Sequence, residues 1–165
     1  MLNGTSKFIL TYMHENNLSF LESLYIAKEK GIAESDPSLG VKGFDSACEI
    51  LLLANSLLGT NYLLKDIKVS GIEHLTREDI HKEKMSNRHI KLMARAYKED
   101  EKVILDVTPC ERDEEHPLSH VNETNKEVLF ETIEMGTICS TGGASHPRGA
   151  AAVKDLINIY EKDLY

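Results

Sequence analysis

The sequence predicts an α+β fold with helices packed on one face of a mixed, mostly antiparallel sheet. Apolar residues recur at helical spacing up to Gly59, and the alternating pattern of strands follows. Segments 89–97 and 102–109 alternate on either side of a polar turn at 98–101, which predicts an antiparallel hairpin. The 165 residues are enough for one hydrophobic core, so we expect a single domain over residues 1–165.

Three helices are expected before Gly59. Asn3-Gly4-Thr5 is predicted to be a turn, with Ser6 capping the first helix, and Ser19 with Glu22 forms a capping box for the second. The predicted bounds are about 7–14, 19–31 and 43–59, and the inward positions of the third are Ala47, Ile50, Leu51, Ala54 and Leu58. A loop over 34–43, stiffened by Pro37, separates the second and third helices.

The second half is predicted to contain strands with two helices. The expected elements are a strand at 67–72, a helix capped by Thr76, the hairpin, a loop at 111–117, a strand at 127–133, a loop or short strand at 136–143, and an amphipathic helix after Pro147. This order of helices, strands and a final helix is what favours the α+β class.

Composition excludes several classes of function. A net charge of −8, without a cluster among the 19 basic residues, argues against nucleic acid as a partner. No apolar run is long enough to span a membrane, and the N-terminus lacks the features of a signal peptide. The three cysteines are odd in number and widely spaced, which favours reduced thiols and a cytoplasmic location.

A metal site is not expected. His116 and His120 have helical spacing, but Pro117 between them breaks the helix that would align them, and Cys110 has no partner at a ligand spacing. Cys48 is interpreted as a small buried hydrophobe, and Cys139 has no histidine partner at motif spacing.

Two carboxylates, Glu34 and Asp45, flank the rigid loop, and Asp45 lies in the first turn of the most apolar helix, which follows the loop. Such a loop, which brings an acid to the first turn of a buried helix, suggests a small-molecule site. Two simpler interpretations stay open: Glu34 as a surface loop acid, and Asp45 as a first-turn acid favoured by the helix dipole.

Eight segments, taken in order, resemble the homoserine dehydrogenase family. They are Asn3-Gly4-Thr5 with Phe8-Ile9-Leu10, Gly31 to Pro37, Gly43 to Ala47, Lys91 to Ala94, Val107-Thr108-Pro109, His116 to Asn122, Gly142 to Ser145, and Gly149 to Leu156. The resemblance covers only the second part of such an enzyme. No Gly-rich phosphate loop of a Rossmann domain stands near the N-terminus, so Met1 could be an artificial start, the start of one part of a split gene or that of a truncated reading frame.

The resemblance implies a substrate-binding and dimerisation domain. Gly4 and Thr5 match a turn that faces the substrate and, for Thr5, the nicotinamide. Glu34 matches the acid that binds the substrate ammonium, and Asp45 matches a second acid of that pocket. The implied ligand is a small, homoserine-like amino acid, the implied assembly is a homodimer, and NAD(P) would come only through an absent or separate nucleotide-binding domain.

Three departures bear on catalysis. The family's catalytic lysine is replaced by Glu49, a tyrosine of the loop by Ile32, and an acid in mid-loop by the pair Leu39-Gly40. Glu49 beside Asp45 makes a like-charge pair with one raised pKa, which could act as a base but not as a cation. Lys42 could replace the lysine, although an ordinary charged residue of the loop is the favoured interpretation.

Two functions are therefore expected. The first is the substrate domain of an NAD(P)-dependent homoserine dehydrogenase in threonine and methionine biosynthesis, with Asp45 and Glu49 as catalytic candidates, inactive without a nucleotide-binding domain. The alternative is a dimeric, non-catalytic module that binds or senses an amino acid.

Overall fold

The structure, a computed structural model, describes residues 3–121 and 125–142. Its helices are α1 (Gly4–Asn16), α2 (Phe20–Glu29), α3 (Ser38–Val41), α4 (Phe44–Leu57) and α5 (Arg77–Met85). Its strands are β1 (Lys68–Val69), β2 (Arg88–Glu99), β3 (Lys102–Asp113), β4 (Lys126–Thr132) and β5 (Gly136–Gly142). The α+β class is confirmed.

Helix α1 begins earlier than the sequence predicted. Asn3, not Ser6, is the N-cap, and its side chain accepts a hydrogen bond from the Ser6 amide at 2.9 Å. Gly4 and Thr5 therefore lie in the first helical turn and not in a free turn. The cause is the Asn3 side chain, since an asparagine N-cap satisfies an amide that would otherwise have no partner.

The predicted capping box of α2 and the predicted cap of α5 at Thr76 are confirmed. Ser19 and Glu22 cap α2 reciprocally, and Thr76 and Asp79 do the same for α5. The predicted loop at 34–43 contains the short helix α3, and the backbone turns from it at Gly43 directly into α4. Leu58, predicted to face inward, follows α4 and is largely exposed.

The strands form two sheets. The first has the order β1-β3-β2, with β1 parallel to β3 and the predicted β2–β3 hairpin antiparallel. Strand β3 continues through Glu111 to Asp113, so the loop predicted at 111–117 begins later, whereas the strand predicted at 67–72 is reduced to β1. The second sheet is the antiparallel pair β4–β5. The predicted C-terminal helix lies outside the described residues.

One core joins the helices to the first sheet. Buried residues of α1 and α4 pack with alternate residues of β2 and β3: Phe8, Ile9, Leu10, Met13, Ala47, Ile50, Ala54, Ile90, Leu92, Leu105 and Val107. A smaller cluster around Met93 packs with Leu118 and Val121. Among the described helices, none is both long and apolar enough to cross a membrane.

Glu83 of α5 is a buried carboxylate held by an arginine. Its side chain is 4% exposed and lies 2.6 Å from Arg88, which also reaches Glu111 at 2.9 Å. We expect Glu83→Gln to lower the free energy of unfolding by about 3 kcal/mol, because it leaves the partly buried guanidinium without this charge partner. Urea denaturation would measure the loss, and Glu99→Gln at the exposed end of β2 should change stability by less than about 0.5 kcal/mol.

Candidate functional site

The predicted site begins with a contact between Asn3 and Asp45. Asn3 Nδ2 donates to Asp45 Oδ2 at 3.0 Å. The other amide atom, Asn3 Oδ1, accepts from the Ser6 amide and hydroxyl, each at 2.9 Å. One side chain therefore caps α1 and fixes the first-turn acid of α4, two points that are 42 residues apart in sequence.

The loop before α4 closes the same corner. Gly40 is buried, and a Cβ there would lie 3.3 Å from Asn3 Nδ2 and 3.4 Å from Thr5 Cβ. The Thr5 hydroxyl donates to the Ile32 carbonyl at 3.3 Å. Three of the predicted segments, the start of α1, the loop and the first turn of α4, thus meet at one place, which we call the acidic corner (Asn3, Thr5, Gly40, Asp45 and Glu49).

Glu34 does not take part in these contacts. It is exposed, two residues after the carbonyl that Thr5 contacts, and within the described residues it has no hydrogen bond or ion pair. Gly4 is exposed as well, at the first position of α1. The structure therefore brings Thr5 and Asp45 together and leaves Glu34 at the open side of the loop, where its carboxylate faces solvent.

Glu49 lies one helical turn beyond Asp45 on α4 and is partly buried. Burial raises the pKa of Glu49, and the charge of Asp45 raises it further, while Lys126 and Lys7 act in the opposite direction. The raised pKa of Glu49 agrees in direction with the sequence-based expectation, but its largest cause is burial and not the neighbouring charge of Asp45.

Lys7, on the second turn of α1, is a buried charged residue that sequence reasoning missed. Its side chain is 2% exposed, and its Nζ donates to the Asn125 carbonyl just before β4. Burial, and after it the charge of Lys126, lower the pKa of Lys7 to about 8, and the charge of Glu49 opposes both. A signal was present: Lys7 lies three residues before Leu10 on the buried side of α1, where a lysine is rare unless it has a partner.

A second polar cluster lies at the other end of α1. A cavity of about 400 Å³ is lined by His14, His89, His120, Glu114 and neighbouring residues. The rings of His14 and His89 stack with centroids 4.2 Å apart, and His89 Nε2 lies 2.5 Å from Glu114. No sequence motif points to this cluster, because its members come from α1, β2 and the segment after β3.

His14 should make stability depend on pH. Burial, reinforced by His89, Lys84 and Lys91, lowers the pKa of His14 to about 4, below the 6.5 of an unfolded chain. Between these values the unfolded state binds the extra proton, so stability is lost as the pH falls from about 6.5 to 4, by roughly 2 kcal/mol after allowance for partial exposure. Urea denaturation across this range should show the loss in the wild type and a shallower slope in His14→Gln, whereas His81→Gln should leave the slope unchanged.

Within residues 3–121 and 125–142, no group of three or more histidine, cysteine or acidic side chains is placed to hold a metal ion. His116 instead caps a short 3-10 helix, since its Nδ1 accepts from the Leu118 amide at 3.1 Å. Nor does a helix here follow a strand through a Gly-rich turn, so the described residues offer no cradle for a dinucleotide phosphate.

The fold and the site together define an α+β domain. Its acidic corner combines Thr5, from the first turn of α1, with Asp45, from the first turn of α4. The family model for homoserine dehydrogenase matches residues 1–157. The chain belongs to the homoserine dehydrogenase family.

Two curated relatives and one solved structure illustrate the match. The homoserine dehydrogenase of Methanocaldococcus jannaschii is 37% identical over 97% of this chain and 47% of its own length. The NAD(+)-dependent homoserine dehydrogenase of Pseudomonas canavaninivorans is 34% identical over 98% of this chain and 46% of its own. The crystal structure of Staphylococcus aureus homoserine dehydrogenase at pH 6.0 superposes with a TM-score of 0.90 at 31% identity, over 99% of this chain and 42% of the other. The chain thus spans less than half of each.

Proposed function

We propose that residues 1–165 form a single substrate-binding and dimerisation domain of a homoserine dehydrogenase-like oxidoreductase. The observation that carries this proposal is the bond between Asn3 and Asp45, because it joins two of the segments that resemble the family into one corner. The family match over residues 1–157 supports it. The reaction class is the NAD(P)-dependent interconversion of homoserine and aspartate semialdehyde, a step of amino-acid biosynthesis.

The acids of this region suit an amino-acid ligand. In our proposal Glu34 and Asp45 bind the substrate ammonium, because a charge-assisted hydrogen bond to a carboxylate is the strong way to hold such a group. Glu34 is exposed and has no other partner among the described residues, so its carboxylate is available to a ligand. Gly4 and Thr5 would contact the substrate from the first turn of α1, whose free amides also favour an anionic group such as the substrate carboxylate.

Glu49 is our candidate for the proton in the chemical step. Oxidation of the alcohol sends a hydride from carbon to the nicotinamide and a proton from the hydroxyl to a base. An ionised Glu49 can accept that proton, and its raised pKa brings it nearer to the range in which a general base is effective. Asp45, whose charge contributes to that shift, is the second catalytic candidate.

A nicotinamide dinucleotide would supply the hydride acceptor. The described residues offer no phosphate cradle, so we assign NAD(P) to a separate nucleotide-binding domain, with Thr5 as the residue of this chain that would face the nicotinamide. By itself the 165-residue chain should not turn over homoserine with NAD(P), and measurable turnover would contradict this assignment.

A homodimer is the proposed assembly. All seven residues of β5 are exposed, including Ile138 at 37%, and within residues 3–121 and 125–142 this strand pairs with β4 alone. An exposed strand edge is a template for pairing with a second copy. Sedimentation at micromolar concentrations should give a dimer, whereas a monomer over that range would contradict the proposal.

We also keep the cytoplasmic location as a prediction, which rests on the spacing of the three cysteines.

The second candidate is a non-catalytic, dimeric module that binds an amino acid. The observation that favours it is Glu49 in place of the family lysine, since a carboxylate cannot neutralise a developing alkoxide as an ammonium does. Loss of catalysis even when a nucleotide-binding domain is supplied, with amino-acid binding retained, would decide for this candidate.

Calorimetric titration with L-homoserine tests the binding that both candidates share. We expect saturable binding, weakened about tenfold or more in Glu34→Gln because one charge-assisted hydrogen bond is lost. Glu101→Gln, in the exposed turn between β2 and β3, is the matched control and should bind as the wild type does. No binding, or equal binding by Glu34→Gln, would remove Glu34 from the site.

A further inference from the structure

The side-chain amide of Asn3 has one orientation that satisfies its neighbours. Its Oδ1 accepts hydrogen bonds from the Ser6 amide and hydroxyl, each at 2.9 Å, which an amide nitrogen could not do for the backbone N–H. Nδ2 is therefore the group that meets Asp45, and it donates to Asp45 Oδ2 at 3.0 Å. The cap of α1 thus determines which atom of Asn3 contacts the carboxylate of α4.

Gly40 leaves the space that this amide occupies. A Cβ at Gly40 would lie 3.3 Å from Asn3 Nδ2 and 3.5 Å from Asn3 Oδ1. Gly40 is buried, and its carbonyl accepts a hydrogen bond from the amide of Gly43, the residue before α4, at 3.3 Å. The amide of Asn3 is therefore held by its hydrogen bonds and confined by the segment that leads into α4.

This arrangement fixes Asp45 without neutralising it. Asp45 is half-buried, and among the described residues its side chain has no hydrogen bond besides that from Asn3, and no ion pair. A lysine or arginine donor would hold the carboxylate and also compensate its charge, whereas an amide donor is neutral. One carboxylate oxygen of Asp45 is thus engaged, while the charge and the second oxygen, Oδ1, remain for a cationic ligand.

We propose that Asn3 is a positioning residue for ligand binding, which holds Asp45 by Oδ2 so that Oδ1 receives the ammonium of a small amino acid. This inference rests on the proposed function. A carboxylate without this bond is free to rotate, and ordering it again on binding costs part of the affinity. The orientation of the acid therefore comes from α1 and its charge from α4, 42 residues further along the chain.

Asn3→Ser separates the two roles of this side chain. Serine is a good N-cap, but its short side chain cannot carry a second donor to Asp45. We expect circular dichroism to show an intact fold, and calorimetric titration to show L-homoserine binding about tenfold more weakly. Asn16→Ser makes the same change at the other end of α1, where the side chain donates to the Tyr12 carbonyl at 3.2 Å, and it should bind as the wild type does.

A second set of variants exchanges the amide and the carboxylate. Asn3→Asp alone brings two carboxylates together where a 3.0 Å hydrogen bond now stands, so its urea midpoint should lie below that of the wild type at neutral pH. This deficit should shrink as the pH falls, because the pair can then share a proton. Asn3→Asp combined with Asp45→Asn restores the bond in the opposite direction. The double variant should regain the urea midpoint but not the affinity for homoserine, because the charge has moved to α1.

Three results would overturn this inference. They are equal homoserine binding by Asn3→Ser and the wild type, recovery of that binding in the double variant, and a urea midpoint unchanged by Asn3→Asp at neutral pH. Failure of the proposed function would look different: the wild type would bind no homoserine, while the double variant would still recover the urea midpoint that Asn3→Asp loses.

Discussion

Gly71→Ala is expected to lower the free energy of unfolding by roughly 3 kcal/mol. A Cβ at Gly71 would overlap the Val41 carbonyl oxygen and lie 2.6 Å from Lys42 Cα, both of them backbone atoms. The same approach is held by a hydrogen bond from the Ile72 amide to Val41 O at 2.9 Å. Because backbone cannot move aside as a flexible side chain can, the methyl group must break this contact or strain it.

The effect of Gly71→Ala should extend to the acidic corner. Val41 and Lys42 lie between Gly40 and the start of α4, so a shift there displaces the turn that carries Asp45. Urea denaturation measures the loss of stability. Gly4→Ala is the control, because a Cβ at Gly4 meets nothing within 4 Å and alanine favours a helix; its stability should be equal or slightly higher. Equal stability of Gly71→Ala and the wild type would show that this close approach is not a constraint.

Asp45→Asn should weaken L-homoserine binding by about 10- to 100-fold. The loss corresponds to one charge-assisted hydrogen bond to an ammonium, about 1.5–3 kcal/mol. The fold should be kept, since an asparagine oxygen can still accept from Asn3 Nδ2. The variant therefore removes the charge of the acidic corner and leaves the contact that shapes it.

Calorimetry of Asp45→Asn needs a control that makes the same chemical change elsewhere. Asp100 in the turn between β2 and β3 is exposed and has φ 53°, a conformation that asparagine adopts readily, so Asp100→Asn should bind as the wild type does. Binding by Asp45→Asn within twofold of the wild type would remove Asp45 from the ligand site.

The elements set by local chemistry could be predicted from the sequence. The capping boxes at Ser19 and Thr76 define helix starts, and strict alternation defines the β2–β3 hairpin. The start of α1 could not, because Asn3 and Ser6 are both good N-caps, and the bond from Asn3 to Asp45, 42 residues away, leaves no local signal. The length of β1 escaped prediction for a similar reason, since only two of its residues find partners on β3.

The residues of the candidate site likewise differ in whether local sequence or long-range contacts define them. Asp45 and Thr5 could be named from motifs, and Glu49 from its departure from a motif. Lys7 could not be named in this way, because its hydrogen-bond partner, Asn125, is 118 residues away in sequence. The histidine cavity likewise combines residues of three segments that share no spacing. Long-range contacts of this kind leave no periodic trace in the sequence.

The central claim is that this chain binds a small amino acid at the acidic corner. Mapping amide shifts of the 15N-labelled chain during titration with L-homoserine tests it most directly. We expect the largest shifts at Thr5 and in the first turns of α4, from Asp45 to Glu49. An absence of shifts at millimolar homoserine, or shifts concentrated instead around His14 and His89, would contradict it.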